Sequence, residues 1–337
     1  MEENARPLDI VVTLDSSVIS RAVLARAADV AARVTVPTDA RAATAALASA
    51  PTAGDLPRWL RGGIWAFDLA SVELFANLDE STPGIRALDR HDADPLAPVV
   101  DPRGVAVIPI HGFITRRASF WSALFGGTSL VELEDAVRAA VNDSRVHAIV
   151  LDVDSPGGSV TGVHETFEVL RAANAVKPIH AAVSGLGASA AYWLASAASS
   201  IAVSPSAEVG SIGVFGMHAD RSAFFQARGI TFSVFAVPAA KAEATDVVPL
   251  TDDARDAMRA RVESHYRRFV DDVATGRGVS AAEVRGGFGG GRVVGSDAAL
   301  AARLVDTIAT PSAVLGRVAD TLADSARRLE LARYRAG

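Results

Sequence analysis

The strongest constraint on the fold lies between residues 104 and 203, where short apolar runs alternate with helical patterns. Residues 105–110, 147–151, 178–183 and 201–203 read as buried strands, each too short and too β-branched for a helix. Between them, Leu130, Leu133, Val137 and Val141 repeat at helical spacing behind a Thr128/Ser129 cap, with Glu132 completing a capping box on Ser129. Val160, Val163, Phe167 and Leu170 form a second helical stripe, and 188–198 a third helix. Strand–helix alternation of this kind predicts an α/β domain with mainly parallel strands and flanking helices.

The rest of the chain is less regular. At roughly 100–200 residues per domain, 337 residues suit one large domain or two smaller ones. Residues 1–100 read as an N-terminal region and linker, broken by Pro37, Pro51 and Pro57. Within it, the patch Trp59 to Phe67 is expected to serve core or interdomain packing. The α/β domain covers 101–310. Its later part predicts a strand over 231–237 and a long helix opening at Asp252 and Asp253, striped by Met258, Val262, Tyr266, Phe269 and Val273 and ended by Gly276. A short helix capped by Ser280 and Glu283 follows, then a glycine-rich loop over 286–291. An amphipathic helical tail occupies 311–337.

Composition excludes several classes. The chain has no cysteine, which removes disulfide scaffolds, cysteine proteases, thiolate zinc and iron–sulfur sites. A net charge of −6 argues against nucleic-acid binding. The acidic N-terminus carries no signal-peptide pattern. The uncharged stretch 181–207 is rich in serine and alanine and reads as a buried helix between core strands rather than a membrane span.

Two segments could carry chemistry. In Asp154-Ser155-Pro156-Gly157-Gly158 the glycines leave backbone N–H groups unscreened, able to hold an oxyanion at a helix start. In Gly185-Leu-Gly-Ala-Ser189-Ala-Ala-Tyr192, small residues surround a serine that either acts as a nucleophile or merely caps a helix. The N–H of Ala190 supplies a second oxyanion donor. A serine nucleophile needs a base. Among seven histidines, His218 with Asp220 is the best placed. The alternative is Lys241, one of only two lysines against 31 arginines, in the apolar setting Phe235-Ala-Val-Pro-Ala-Ala-Lys241. Burial there would favour the neutral amine, which arginine cannot supply. Lys177, before Pro178, reads as solvated.

Taken together and in order, the segments 149–158, 188–193, 210–214, Lys241 and 304–306 resemble the signal peptide peptidase A (protease IV) family of serine proteases, and more closely its phage head-maturation branch. The resemblance implies a ClpP/crotonase-like fold and a Ser–Lys dyad. Ser189 would be the nucleophile, Lys241 the base and Ser211 the residue orienting the lysine. Gly157, Gly158 and Ala190 would form the oxyanion hole. It implies no metal and no cofactor, a homo-oligomer, no membrane anchor and a host-cytoplasmic location inside the procapsid. Substrates would be scaffold, portal or coat precursors. Rival readings are a soluble bacterial peptidase clearing signal or membrane peptides, an acyl-CoA enzyme of crotonase type, and a non-catalytic capsid scaffold component.

Overall fold

The computed structural model describes residues 64–67, 98–118 and 127–336. Strands β1 (Ile64–Phe67) and β2 (Val99–Val100) precede β3 (Val105–Thr115) and the short β4 (Thr128–Ser129). Helix α1 (Leu130–Asn142) leads to β5 (Ala148–Ser159), and α2 (Val163–Val176) to β6 (Ile179–Ala188). After α3 (Ala190–Ala195) come β7 (Ser200–Val203), β8 (Glu208–Gly210), β9 (Phe215–Gly216) and α4 (Ser222–Gln226). The long helix α5 (Asp252–Arg277) is followed by α6 (Ala281–Gly287), β10 (Val293–Gly295), α7 (Ser296–Ala301), β11 (Thr307–Ile308) and α8 (Pro311–Ala336).

The result is the expected mixed α/β architecture around a mostly parallel sheet, and it agrees with the ClpP-like fold that the resemblance implied. β4, β3, β5, β6, β7 and β11 run parallel as neighbours. One sheet face buries Ile108, Ile110, Ile149, Leu151 and Val183 against Leu133, Phe167, Trp193 and Phe269. The other face buries Val105, Val150, Ala182 and Ala202 under Val314 and Val318 of α8. The predicted tail helix thus covers the sheet over part of its length.

The sheet forks where the strands end. β6 pairs with β7 through Val183 and then with β8 from Leu186, while β5 pairs with β6 as far as Ser155↔Gly187 and then with β1. A bulge between Val153 and Ser155 accompanies the exchange. The candidate nucleophile sits in this fork.

Several elements differ from expectation. The Pro-Gly-Gly segment does not open a helix: β5 continues through it to Ser159, and α2 starts at Val163 behind Gly162 at φ 88°. Residues 231–237 form no strand and lie largely exposed. The helix α5 passes Gly276 and ends at Arg277, with Gly278 as the left-handed cap. Gly276 has a different function, since a Cβ there would lie 2.0 Å from the Ser196 carbonyl oxygen. The burial expected for Trp59 to Phe67 lies outside what the described residues show. Among the described residues, no helix is long and apolar enough to cross a membrane.

Candidate active site

Ser189 stands between the last residue of β6 and the first of α3, at φ 56° and ψ −118°. That backbone is unusual for a residue with a Cβ and costs about 1–3 kcal/mol, so it persists only where its surroundings over-determine it. They do so here. The Ser189 N–H donates to the Gly210 carbonyl at 2.7 Å, and its own carbonyl accepts from the Trp193 N–H at 2.9 Å. The hydroxyl makes no cap to the helix; among the described residues its one hydrogen-bond contact is a long 3.5 Å approach to the Gly213 carbonyl. Ser189 is fully buried. The helix-capping alternative for this serine does not match the geometry.

The β5–β6 register brings the glycine loop to the serine. Ser155↔Gly187 is the last pair of the β5–β6 ladder, so Gly157 and Ser189 each lie two residues beyond it, on the two sides of the fork. Gly158 cannot carry a side chain, because a Cβ would fall 1.9 Å from the Ile114 carbonyl oxygen of β3. Gly157 takes φ 98°, a conformation that glycine adopts without strain. Its N–H is engaged, donating to the Ser155 hydroxyl at 3.1 Å, while that hydroxyl donates to the Gly112 carbonyl at 2.6 Å. Ser155 was missed as a functional candidate although it lies inside the motif. Ala190 supplies the first amide of α3, which has no acceptor within its own helix.

Ser211 takes φ 52°, is buried, and is tied by its N–H to the Arg292 carbonyl at 2.8 Å. Lys241 departs from expectation. It lies on an exposed 3-10 turn, Ala239–Ala242, rather than at a strand end, and among the described residues its ammonium makes no hydrogen bond or ion pair. A cleft of about 240 Å³ lies beside that turn, lined in part by Val234, Ala236, Ala239, Ala242 and Leu250. His218, the other candidate base, places Nε2 3.1 Å from the Thr245 carbonyl oxygen. The single chain therefore assembles Ser189, Gly157, Gly158, Ala190 and Ser211 around the fork, and leaves Lys241 on the surface.

Asp272, on α5, holds α3 from behind. Its Oδ2 accepts from the Trp193 indole N–H at 2.8 Å and meets His164 Nδ1 at 2.7 Å, and Trp193 stacks on Phe269 at 4.3 Å. Burial pushes the Asp272 carboxyl above the usual range against these bonds. With Glu168, these groups place three ligand atoms within 4.8 Å of one another. The hydrogen bonds account for two of them as a strut between α2, α3 and α5. A second titratable group lies at the strand ends on the other face. There burial alone would lower the pKa of His111, but its bond to Asp152 at 3.1 Å outweighs this and raises it.

A strained, buried serine and an adjoining pair of glycines thus meet at a fork in a mostly parallel sheet on a ClpP-like scaffold. Residues 171–324 match the family described as peptidase family S49. Relatives include the protein named capsid assembly protease C of Escherichia phage lambda, 29% identical over 177 residues, covering 52% of this chain and 40% of the relative. The head-tail preconnector protein GP5 of Enterobacteria phage P21 is 29% identical over 183 residues, covering 54% and 36%. Protease 4 of Salmonella typhi is 32% identical over 194 residues, covering 57% and 30%. In each case the matched region spans less than half of the relative's own length.

Proposed function

We propose that the chain is a serine endopeptidase with Ser189 as nucleophile and Lys241 as general base, acting on structural proteins of a phage head. The observation that carries the reading is strained, buried Ser189 two residues beyond the last β5–β6 pair, with Gly157 at the same remove on β5. Neutral Lys241 takes the Ser189 proton as Oγ attacks the peptide carbonyl carbon. The oxyanion is held by the Ala190 and Gly158 amides and by the Gly157 amide, which exchanges its bond to Ser155 for one to the substrate. The lysine then protonates the leaving amine, and water releases the acyl group from the serine. Ser211 orients the lysine. The names of two phage relatives, a capsid assembly protease and a head-tail preconnector protein, support capsid components as substrates; on this reading they are scaffold, portal or coat precursors, cleaved in the host cytoplasm.

Lys241 must reach Ser189 for this chemistry. We read the chain as a homo-oligomer in which a neighbouring copy supplies Lys241, because the lysine is exposed here and unbonded among the described residues. Co-expression with candidate coat and scaffold proteins tests the dyad. Ser189→Ala and Lys241→Arg are expected to reduce cleavage by about three orders of magnitude or more, and His218→Ala to leave it intact. Full activity in Lys241→Arg would rule out the dyad.

A further inference from the structure

Strand β1 comes from the N-terminal region, far in sequence from the elements around the nucleophile, yet it runs into the fork itself. It is antiparallel to the end of β5, with Trp65↔Ser159, Ala66↔Gly158 and Phe67↔Gly157. On its other side it is antiparallel to β9, with Ile64↔Gly216 and Trp65↔Phe215. Both neighbours belong to the candidate site. Gly157 and Gly158 are its expected oxyanion donors, and β9 follows the Gly210–Gly213 segment whose carbonyls contact Ser189.

A peptide to be cleaved must lie extended here, with a carbonyl beside Ser189 and Gly157. Strand addition between two open edges does this with main-chain bonds alone and accepts varied sequences. β1 already has that geometry. It runs from Ile64 toward Phe67, antiparallel to β5, and Phe67 pairs with Gly157, an expected oxyanion donor, so its direction matches the acyl half of a substrate laid along β5. Gly158 lies close against the Ile114 carbonyl, so β3 holds one edge of β5 here while β1 occupies the other. The burial of Ser189 agrees with an occupied fork.

We propose that Ile64–Phe67 is a resident strand in the peptide-binding groove between β5 and β9, competing with extended peptide substrates for it. Its regulatory meaning rests on Ser189 being the nucleophile; the occupancy itself does not. A site whose competent state is a minor population binds ligand more weakly by that fraction, so loosening β1 should strengthen binding. Trp65 is bracketed on both sides, and proline there removes a ladder bond whichever way its N–H points.

The test uses the full chain in the Ser189→Ala background and a fluorescent synthetic peptide with the sequence of residues 62–69. Anisotropy should show Trp65→Pro binding the peptide about tenfold tighter or more, with Trp65→Val closer to the parent. Equal affinity in parent and proline variant, or no binding to either, overturns the proposal. Should the proline variant not fold, hydrogen exchange decides on the parent alone. Amides of 64–67 should exchange faster when excess peptide is added, and unchanged exchange at saturation overturns the proposal. Labelling by a fluorophosphonate in the Ser189-containing chain reports separately on the nucleophile. Peptide binding without any labelling would reject the catalytic reading and leave strand occupancy standing.

Discussion

At the residue scale, buried Asp272 and the exposed, ion-paired Asp306 have opposite shifts and separate local chemistry from sequence pattern. Burial alone would raise the pKa of Asp306, but its bond to Arg277 and the Ile201 N–H outweigh this and hold it below the usual range. A depressed folded pKa contributes stability that is present above the unfolded value and lost as pH falls through the folded one. Asp306→Asn is therefore expected to lower Tm at neutral pH, with the deficit closing in acid below the ordinary carboxylate range. A deficit independent of pH would show that charge is not the cause. Asp272 has the reverse sign: its raised pKa makes the ionised form a cost that grows as pH rises from the ordinary carboxylate value to the folded one. Asp272→Asn keeps an acceptor for Trp193, whereas Asp272→Ala strands the buried indole N–H at about 1–3 kcal/mol. Chemical denaturation should rank the alanine variant well below the asparagine one. None of these partners was legible, because each lies 29 to 108 positions away in the chain. The same holds for Lys177, which read as solvated. Its ammonium in fact donates to the Ala140 and Asp143 carbonyls at 2.9 and 2.7 Å, closing the C-terminal end of α1.

Elements were legible where their cause is local. The Ser280–Glu283 capping box forms in both directions, and Thr251 accepts from the Ala254 N–H ahead of α5. Apolar runs at 147–151 and 178–183 became central strands because both their faces are covered. Extent was less legible than existence. β5 extends through Pro156 and both glycines because β3 and β1 pair with it there, a tertiary reason that no turn signal carries. Ser189 and Lys241 were selected by chemistry, whereas their placement on opposite sides of burial was invisible. Gly276 shows the same limit. Inside an exposed helix, glycine to alanine is worth up to about 1 kcal/mol in favour of alanine. Here the added Cβ would meet the Ser196 backbone oxygen at 2.0 Å, and overpacking of that kind costs about 1–3 kcal/mol. Packing should win: Gly276→Ala is expected to lower Tm by a few degrees. It should also slow peptide cleavage by pushing α5 off the helix behind Ser189. A raised Tm would mean that α5 does not press on α3.

For the whole molecule, the decisive feature is the apolar segment that the pattern 231–237 presented as a core strand. Phe235 and Val237 are 94% and 97% exposed, and Phe224, Ile230, Phe232 and Val234 are also exposed. Apolar residues fall on both strand parities here, Phe232 and Val234 on one and Phe235 and Val237 on the other; among the described residues Phe232 meets the Phe225 ring edge-on, while Phe235 and Val237 stay almost fully exposed. Lone exposed apolar residues are ordinary; six within 14 positions form an adhesive surface. Lys241 follows four residues after Val237, so whatever covers this segment also decides the lysine's environment. Packing of the segment against another copy would desolvate the ammonium, favour the neutral amine and bring it to a buried serine. Two measurements follow. Phe235→Asp with Val237→Asp should shift the protein to a smaller species in sedimentation and suppress fluorophosphonate labelling of Ser189. Mixing Ser189→Ala with Lys241→Arg, each inactive alone, should restore labelling on the Lys241→Arg chains, whose serine then meets a lysine from the other copy. Exchange of subunits without restored labelling would place both members of the dyad in one chain, and the apolar segment would then have to fold inward to deliver the lysine.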